Sequence, residues 1–148
     1  MEANFPAAHS VLGGVYVQQR LYEQAMAEYQ KVLELSPGVA VVERAIKALM
    51  AHAYAKWRKR SKAMKLLDEL KKPSDESDQS SAGMSLSPHS IAEIYSALGQ
   101  TEEAFEWLDK AYEQHDMQMV SLLTNPTLDG LRSDARFADL VRRVGLPR

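Results

Sequence analysis

Apolar residues recur along this chain at helical rather than strand spacing. Leu12 and Tyr16 stand four apart, and Leu21, Ala25, Tyr29 and Val32 follow at steps of four, four and three. Each set falls on one face of a helix. Pro37-Gly38 then stops the second of these helices. No stretch alternates apolar and polar residues in the way a strand does, so the pattern predicts an all-α chain.

The same layout appears three times. Tyr16, Tyr54 and Tyr95 each precede an alanine by nine residues: Ala25, Ala63 and Ala104. Four residues after each alanine stands a large apolar side chain, Tyr29, Leu67 or Leu108. Four residues before each tyrosine is Leu12, Met50 or Ile91, followed directly by a small residue, Gly13, Ala51 or Ala92. Each unit reads as two antiparallel helices. The small residues have a steric reason, because helices approach to about 8–10 Å only where neither carries bulk at the crossing. In the third unit Ser87-Pro88 suits a helix start, Gly99 the turn, and Thr101 the cap of the second helix, with Glu102 and Glu103 at its positive end.

This pattern resembles the tetratricopeptide repeat, whose signature runs Trp, Leu-Gly, Tyr, Ala, Phe/Tyr, Pro. The first unit carries Leu12-Gly13, Tyr16, Ala25, Tyr29 and Pro37; the second keeps Tyr54 and Ala63; the third keeps Tyr95, Gly99 and Ala104. His9, Lys47 and Pro88 stand in place of the signature's Trp. The resemblance covers roughly residues 5–116. It implies an all-α domain of three tetratricopeptide-like helix pairs in a right-handed solenoid, with repeats at about 5–38, 40–72 and 85–116. The spacing exceeds the family's, so one extra helical turn is expected between about Val39 and Trp57, and the remaining insertion in Lys72–Met84.

The stretch 73–84, rich in Ser, Asp, Pro and Gly, reads as a mobile loop inside a single domain. Residues 117–148 read as capping helices. Met117–Leu123 is apolar enough for a short helix, broken by Asn125-Pro126. Ser133 is placed to cap a last helix bearing Phe137, Leu140, Val141 and Val144 on one stripe, ended by Gly145 and Pro147. A repeat stack leaves its terminal apolar face open, which calls for such a cap. The run Leu128–Pro147, with Ser87-Pro88 and Ala104–Ala111 before it, also resembles the C-terminal end of bacterial multidomain signalling and regulatory proteins. That implies a C-terminal fragment of a longer protein, with a fused upstream domain as one partner.

Composition excludes several chemistries. The 148 residues contain no cysteine, which removes disulfides, thiolate metal sites and thiol nucleophiles. A reducing, cytoplasmic setting is the matching expectation. No apolar run reaches the length of a membrane span. His9, His52, His89 and His115 lie far apart, and no His pair has the four-residue spacing of a helical metal site. Acid pairs such as Glu102-Glu103 and Asp68-Glu69 are adjacent and splay around their helices. There is no phosphate loop and no nucleophile elbow. No enzyme, metal or cofactor is expected.

Net charge is only −2, from 18 basic and 20 acidic residues, but it is unevenly spread. Residues 56–72 hold eight Lys/Arg against two acids, and residues 73–116 hold ten acids against one Lys. The run Lys56-Trp-Arg-Lys-Arg-Ser-Lys62 has the charges of a nucleic-acid footprint, with Trp57 available to stack. The preferred reading is internal compensation, with Lys62 and Lys65 facing Glu102, Glu103 and Glu106, so nucleic acid is not expected as a partner.

The resemblance implies a protein-interaction module that binds a protein or peptide segment in a concave groove lined by the first helix of each pair. The implied lining is Ser10, Val11, Gly14, Val17, Gln18, Leu49, His52, Lys56, His89, Ser90, Glu93 and Ser96. It is mostly small and nearly neutral, which favours a neutral or apolar segment over an acidic tail. The alternative is a structural module that self-associates as a homodimer or docks within its own chain, its groove filled by its own tail.

Overall fold

The structure, a computed structural model, describes residues 5–72 and 87–145. The chain forms two compact units, Met1–Leu86 and Ser87–Arg148. The expected loop at 73–84 lies outside the described residues. Every regular element among the described residues is helical.

The first unit contains α1 (Pro6–Gln18), α2 (Tyr22–Leu35), α3 (Ala40–Lys56) and α4 (Arg60–Lys71). These pack as the pairs α1–α2 and α3–α4, with α2 also against α3. Helix α3 has 17 residues against 13 in α1, the extra turn that the repeat spacing implies. Val17, Ala25, Tyr29, Val32, Ile46 and Ala53 form one buried cluster, with Tyr16, Tyr22 and Met50 against it. Leu12, expected to face inward, is about two-fifths exposed, and Gly13 and Val17 are the residues of α1 that are buried.

Gly13 shows why the crossing needs a small residue. A Cβ built on it would lie 2.4 Å from the ring of Tyr29, far inside van der Waals contact. In the other two pairs the same two positions hold Ala51 with Leu67 and Ala92 with Leu108, all four fully buried. The larger side chain of the first pair is matched by the smaller residue opposite.

The turn within each pair is built by backbone alone. In the first, the Leu21 amide donates to the Tyr16 carbonyl and Arg20 to Val17; in the second, Lys59 donates to Tyr54 and Arg58 to Ala55. The third repeats it with Gln100 to Tyr95 and Gly99 to Ser96. This is the Schellman arrangement, whose pivot residue takes a left-handed conformation. The pivots are Arg20 and Arg58, both at φ 63°, and Gly99 at φ 75°.

The second unit contains α5 (Pro88–Ala97), α6 (Thr101–Glu113), the 3₁₀ helices η1 (Met117–Ser121) and η2 (Pro126–Leu131), and α7 (Ala135–Val144). Ser87 caps α5 as expected, its hydroxyl accepting from the His89 amide at 3.2 Å. The other two expected caps are displaced by one residue. Gln100, not Thr101, precedes α6 and makes no side-chain cap, and Asp134, not Ser133, caps α7 by accepting from the Arg136 amide at 2.9 Å. Asp134 wins because a carboxylate meets the helix's positive end better than a hydroxyl; Arg136 beside it holds its pKa down to about 2.

The segment beyond Asp116 is a cap in substance, though more irregular than two helices. Helix α7 packs on α6: Arg136 pairs with Glu102 at 2.8 Å and Arg143 with Asp109 at 2.7 Å. Beneath these pairs Phe105, Leu108, Phe137, Leu140 and Val141 are buried. Helix η2 lies against α5 and inserts Leu128 and Leu131. Its start is fixed by Asn125, which accepts from the Thr127 amide at 3.0 Å.

Candidate functional site

The residues expected to line a groove sit on α1, α3 and α5, and the two units treat them differently. In the first unit Ser10 and Gly14 are half-buried, Val11 is 68% exposed, Gln18 and Lys56 are exposed and Leu49 is 37% exposed. Val17 belongs instead to the core, because it meets the buried cluster beneath α1. His52 is half-buried and its Nε2 has no hydrogen-bond partner. Burial, with the Lys56 charge as a smaller cause, pushes its pKa down to about 4.

In the second unit the chain's own C-terminal segment occupies the corresponding face. Ser96 donates to the Thr127 carbonyl at 2.9 Å, Ser90 reaches Gln118 at 3.4 Å, and Asn125 donates to the Glu93 carboxylate. His89 is 1% exposed and lies 3.5 Å from Glu93. No local periodicity announces the three contacts of Ser90, Glu93 and Ser96 with the tail, since each joins residues about thirty positions apart.

The two units also differ in apolar surface. Of the eleven large apolar side chains that stay exposed among the described residues, nine are in the first unit and only Met117 and Val120 in the second. Helix α1 is the clearest case, with Val11, Leu12 and Val15 exposed along one side and no Asp, Glu, Lys or Arg in its thirteen residues. Its one histidine, His9, lies 2.5 Å from the buried carboxylate of Glu28, which also takes Lys31 at 2.9 Å. Those bonds, Lys31 foremost, hold the Glu28 pKa below its usual value.

The basic run has partners that the sequence reading did not assign. Lys59 lies 3.5 Å over the Trp57 ring and Lys62 is 5.4 Å over Tyr54, while Glu102 is taken by Arg136. Trp57 stacks with Tyr22 and Tyr54, with ring centres 5.6 and 6.2 Å apart. Tyr22 in turn donates to the Lys56 carbonyl at 3.4 Å. The sequence signal for this cluster was present: Trp57 and Arg58 follow the repeat tyrosine, in the register of Gln19 and Arg20. Among the described residues no three His, Asp or Glu gather as metal ligands, and no helix is long and apolar enough to cross a membrane.

Antiparallel helix pairs in this register define an all-helical repeat fold. Two segments, residues 7–38 and 89–114, match the family model of the tetratricopeptide repeat. They coincide with the first and third pairs, and residues 40–72 fold as a pair of the same design between them. Repeats of this family generally mediate protein–protein interaction, and the family is a non-catalytic scaffold. No curated protein and no solved structure matches the chain.

Proposed function

We propose that the chain is a protein-interaction module whose docking surface is the first-helix face of the N-terminal unit, where it takes a neutral or apolar peptide segment. Ser10, Val11, Gly14, Gln18, Leu49, His52 and Lys56 are its lining. The observation that supports this reading most is the concentration of exposed apolar side chains on these helices. Small residues at Ser10 and Gly14 leave room for another backbone to approach. Val11 and Leu49 each offer at most about 1.5–3 kcal/mol if fully covered, which suits a transient partner. His89, Ser90, Glu93 and Ser96 drop out of the open lining, because the chain's own tail covers them.

That coverage supports a second role for the C-terminal unit, as a closed module serving intramolecular docking. The resemblance of Leu128–Pro147 to the ends of bacterial signalling proteins supports reading the chain as part of a larger cytoplasmic regulatory protein. The deciding experiment is Leu49→Glu. The variant keeps its helical circular dichroism and loses partner capture or self-association; unchanged capture would remove the groove from the N-terminal unit.

A further inference from the structure

A second feature of the N-terminal unit lies at the turn end of its helix pairs, away from the apolar stripe of α1. A cavity of about 630 Å³ opens there, and its lining includes the apolar Val17, the aromatic Tyr22 and Trp57, and the cations Arg20, Lys56 and Arg58. None of its lining residues is acidic. Among the described residues Arg20, Lys56 and Arg58 form no ion pair, in a protein where most arginines of the second unit do.

Two of these cations occupy backbone positions that disfavour them. Arg20 and Arg58 are the left-handed pivots of their turns, four residues after the repeat tyrosine, where the third pair carries Gly99. A left-handed pivot is met most easily by glycine, and any side chain there carries a strain that must be offset elsewhere. In this unit both non-glycine pivots are arginines and both line the same cavity, whereas the other left-handed pivot of this kind among the described residues, after α6, is His115. A cation just past a helix C-terminus is favoured by the helix dipole, and here two such cations line one concavity.

From this convergence we propose that the cavity is a binding site for a phosphate monoester. Three cations around one concavity oversupply a single carboxylate and match a dianion. The arginine fork presents paired donors to phosphate oxygens, and Lys56 adds a point charge. A cavity of this volume holds a compact group rather than a helix. Three cations around one concavity are a smaller footprint than a nucleic-acid backbone track uses. The phosphate is carried either on a side chain of a partner protein or on a free small molecule.

The test uses the full chain and nuclear magnetic resonance titration with phenyl phosphate, reading the amides of Arg20 and Arg58. Saturable shifts are expected, with benzenesulfonate, the monoanion of the same shape, binding at least tenfold more weakly. Arg20→Gly with Arg58→Gly relieves both strained pivots, so this variant melts at the same temperature or higher while losing at least tenfold in affinity. Lys56→Gln weakens binding in the same direction without touching a turn. The two sites share Gln18 and Lys56 at their border, and Leu49→Glu leaves phenyl phosphate binding unchanged, which separates this site from the apolar part of the groove around Leu49. A peptide bearing phosphotyrosine that binds more than tenfold tighter than phenyl phosphate assigns the source to a protein partner, and equal binding assigns it to a small molecule. Absence of saturable shifts, equal binding of benzenesulfonate, or undiminished affinity in the double glycine variant overturns the proposal. So does a single-stranded oligonucleotide that binds far more tightly than phenyl phosphate with a steep salt dependence, since that marks a diffuse basic patch.

Discussion

The two units solve the same packing problem with opposite outcomes at their surfaces. In the C-terminal unit one helix pair is closed by its own chain: η2 lies on α5, α7 lies on α6, and five leucines from Leu108 to Leu140 are fully or almost fully buried. In the N-terminal unit two pairs share a core around Tyr29 and Ile46, yet Val11, Leu12, Val15 and Leu49 stay at the surface. A helix pair is therefore not intrinsically sticky or inert. What decides is whether later sequence returns to cover its first helix.

The largest effect expected from breaking this difference comes from ending the chain at Asp116. Losing Leu122, Leu128, Leu131, Phe137 and Leu140 removes buried side chains worth about 1.5–3 kcal/mol each. The amides of α5 and α6 then lose their protection in hydrogen exchange, while those of α1–α4 keep theirs. Unchanged protection throughout would show that the tail is not a cap.

Next in size is Gly13→Ala, which drives a methyl into the Tyr29 ring. Overpacking of this kind costs about 1–3 kcal/mol, read as a fall in the denaturation midpoint. Tyr29→Leu in the same chain recovers much of that loss by recreating the alanine–leucine match of the other pairs. If the double variant is as unstable as the sum of the singles, the two positions are not coupled.

A comparable effect is expected from pH. His52 has a folded pKa near 4, below its ordinary value of 6.5. The unfolded chain therefore binds the proton first, and stability falls as pH drops from about 6.5 to 4, by an amount on the order of 2 kcal/mol. The N-terminal unit carries this slope, and His52→Gln flattens it in pH-dependent melts.

The smallest effect belongs to Lys59→Ser with Arg60→Ser. Lys59 loses only a surface contact with Trp57, and Arg60 makes no ion pair among the described residues. The change in stability stays under about 1 kcal/mol, measured by thermal melting.

What the sequence discloses and what it hides follow from range. The helix pairs were readable because the tyrosine, alanine and small-residue positions lie within about twenty residues and repeat. The left-handed pivots were readable too, since Arg20 and Arg58 share the register of Gly99. The coverage of α5 was not, because Asn125 with Glu93 and Thr127 with Ser96 are encounters between distant segments with no periodic trace. The exposure of Leu12 escaped for a related reason. An apolar position on a helix records a preference for burial, and only the neighbouring helices decide whether it is met.

The fit of Gly13 against Tyr29 bears on how such chains diverge. The helix crossing constrains the combined volume of two residues sixteen positions apart, so neither residue is fixed by itself. Homologous pairs are expected to covary there, glycine travelling with an aromatic ring and alanine with leucine. A scheme that weighs each column separately treats every such exchange as two departures, although the physical constraint has been met both times. Degenerate repeats of this kind are recognised better by conserved joint volume than by conserved letters.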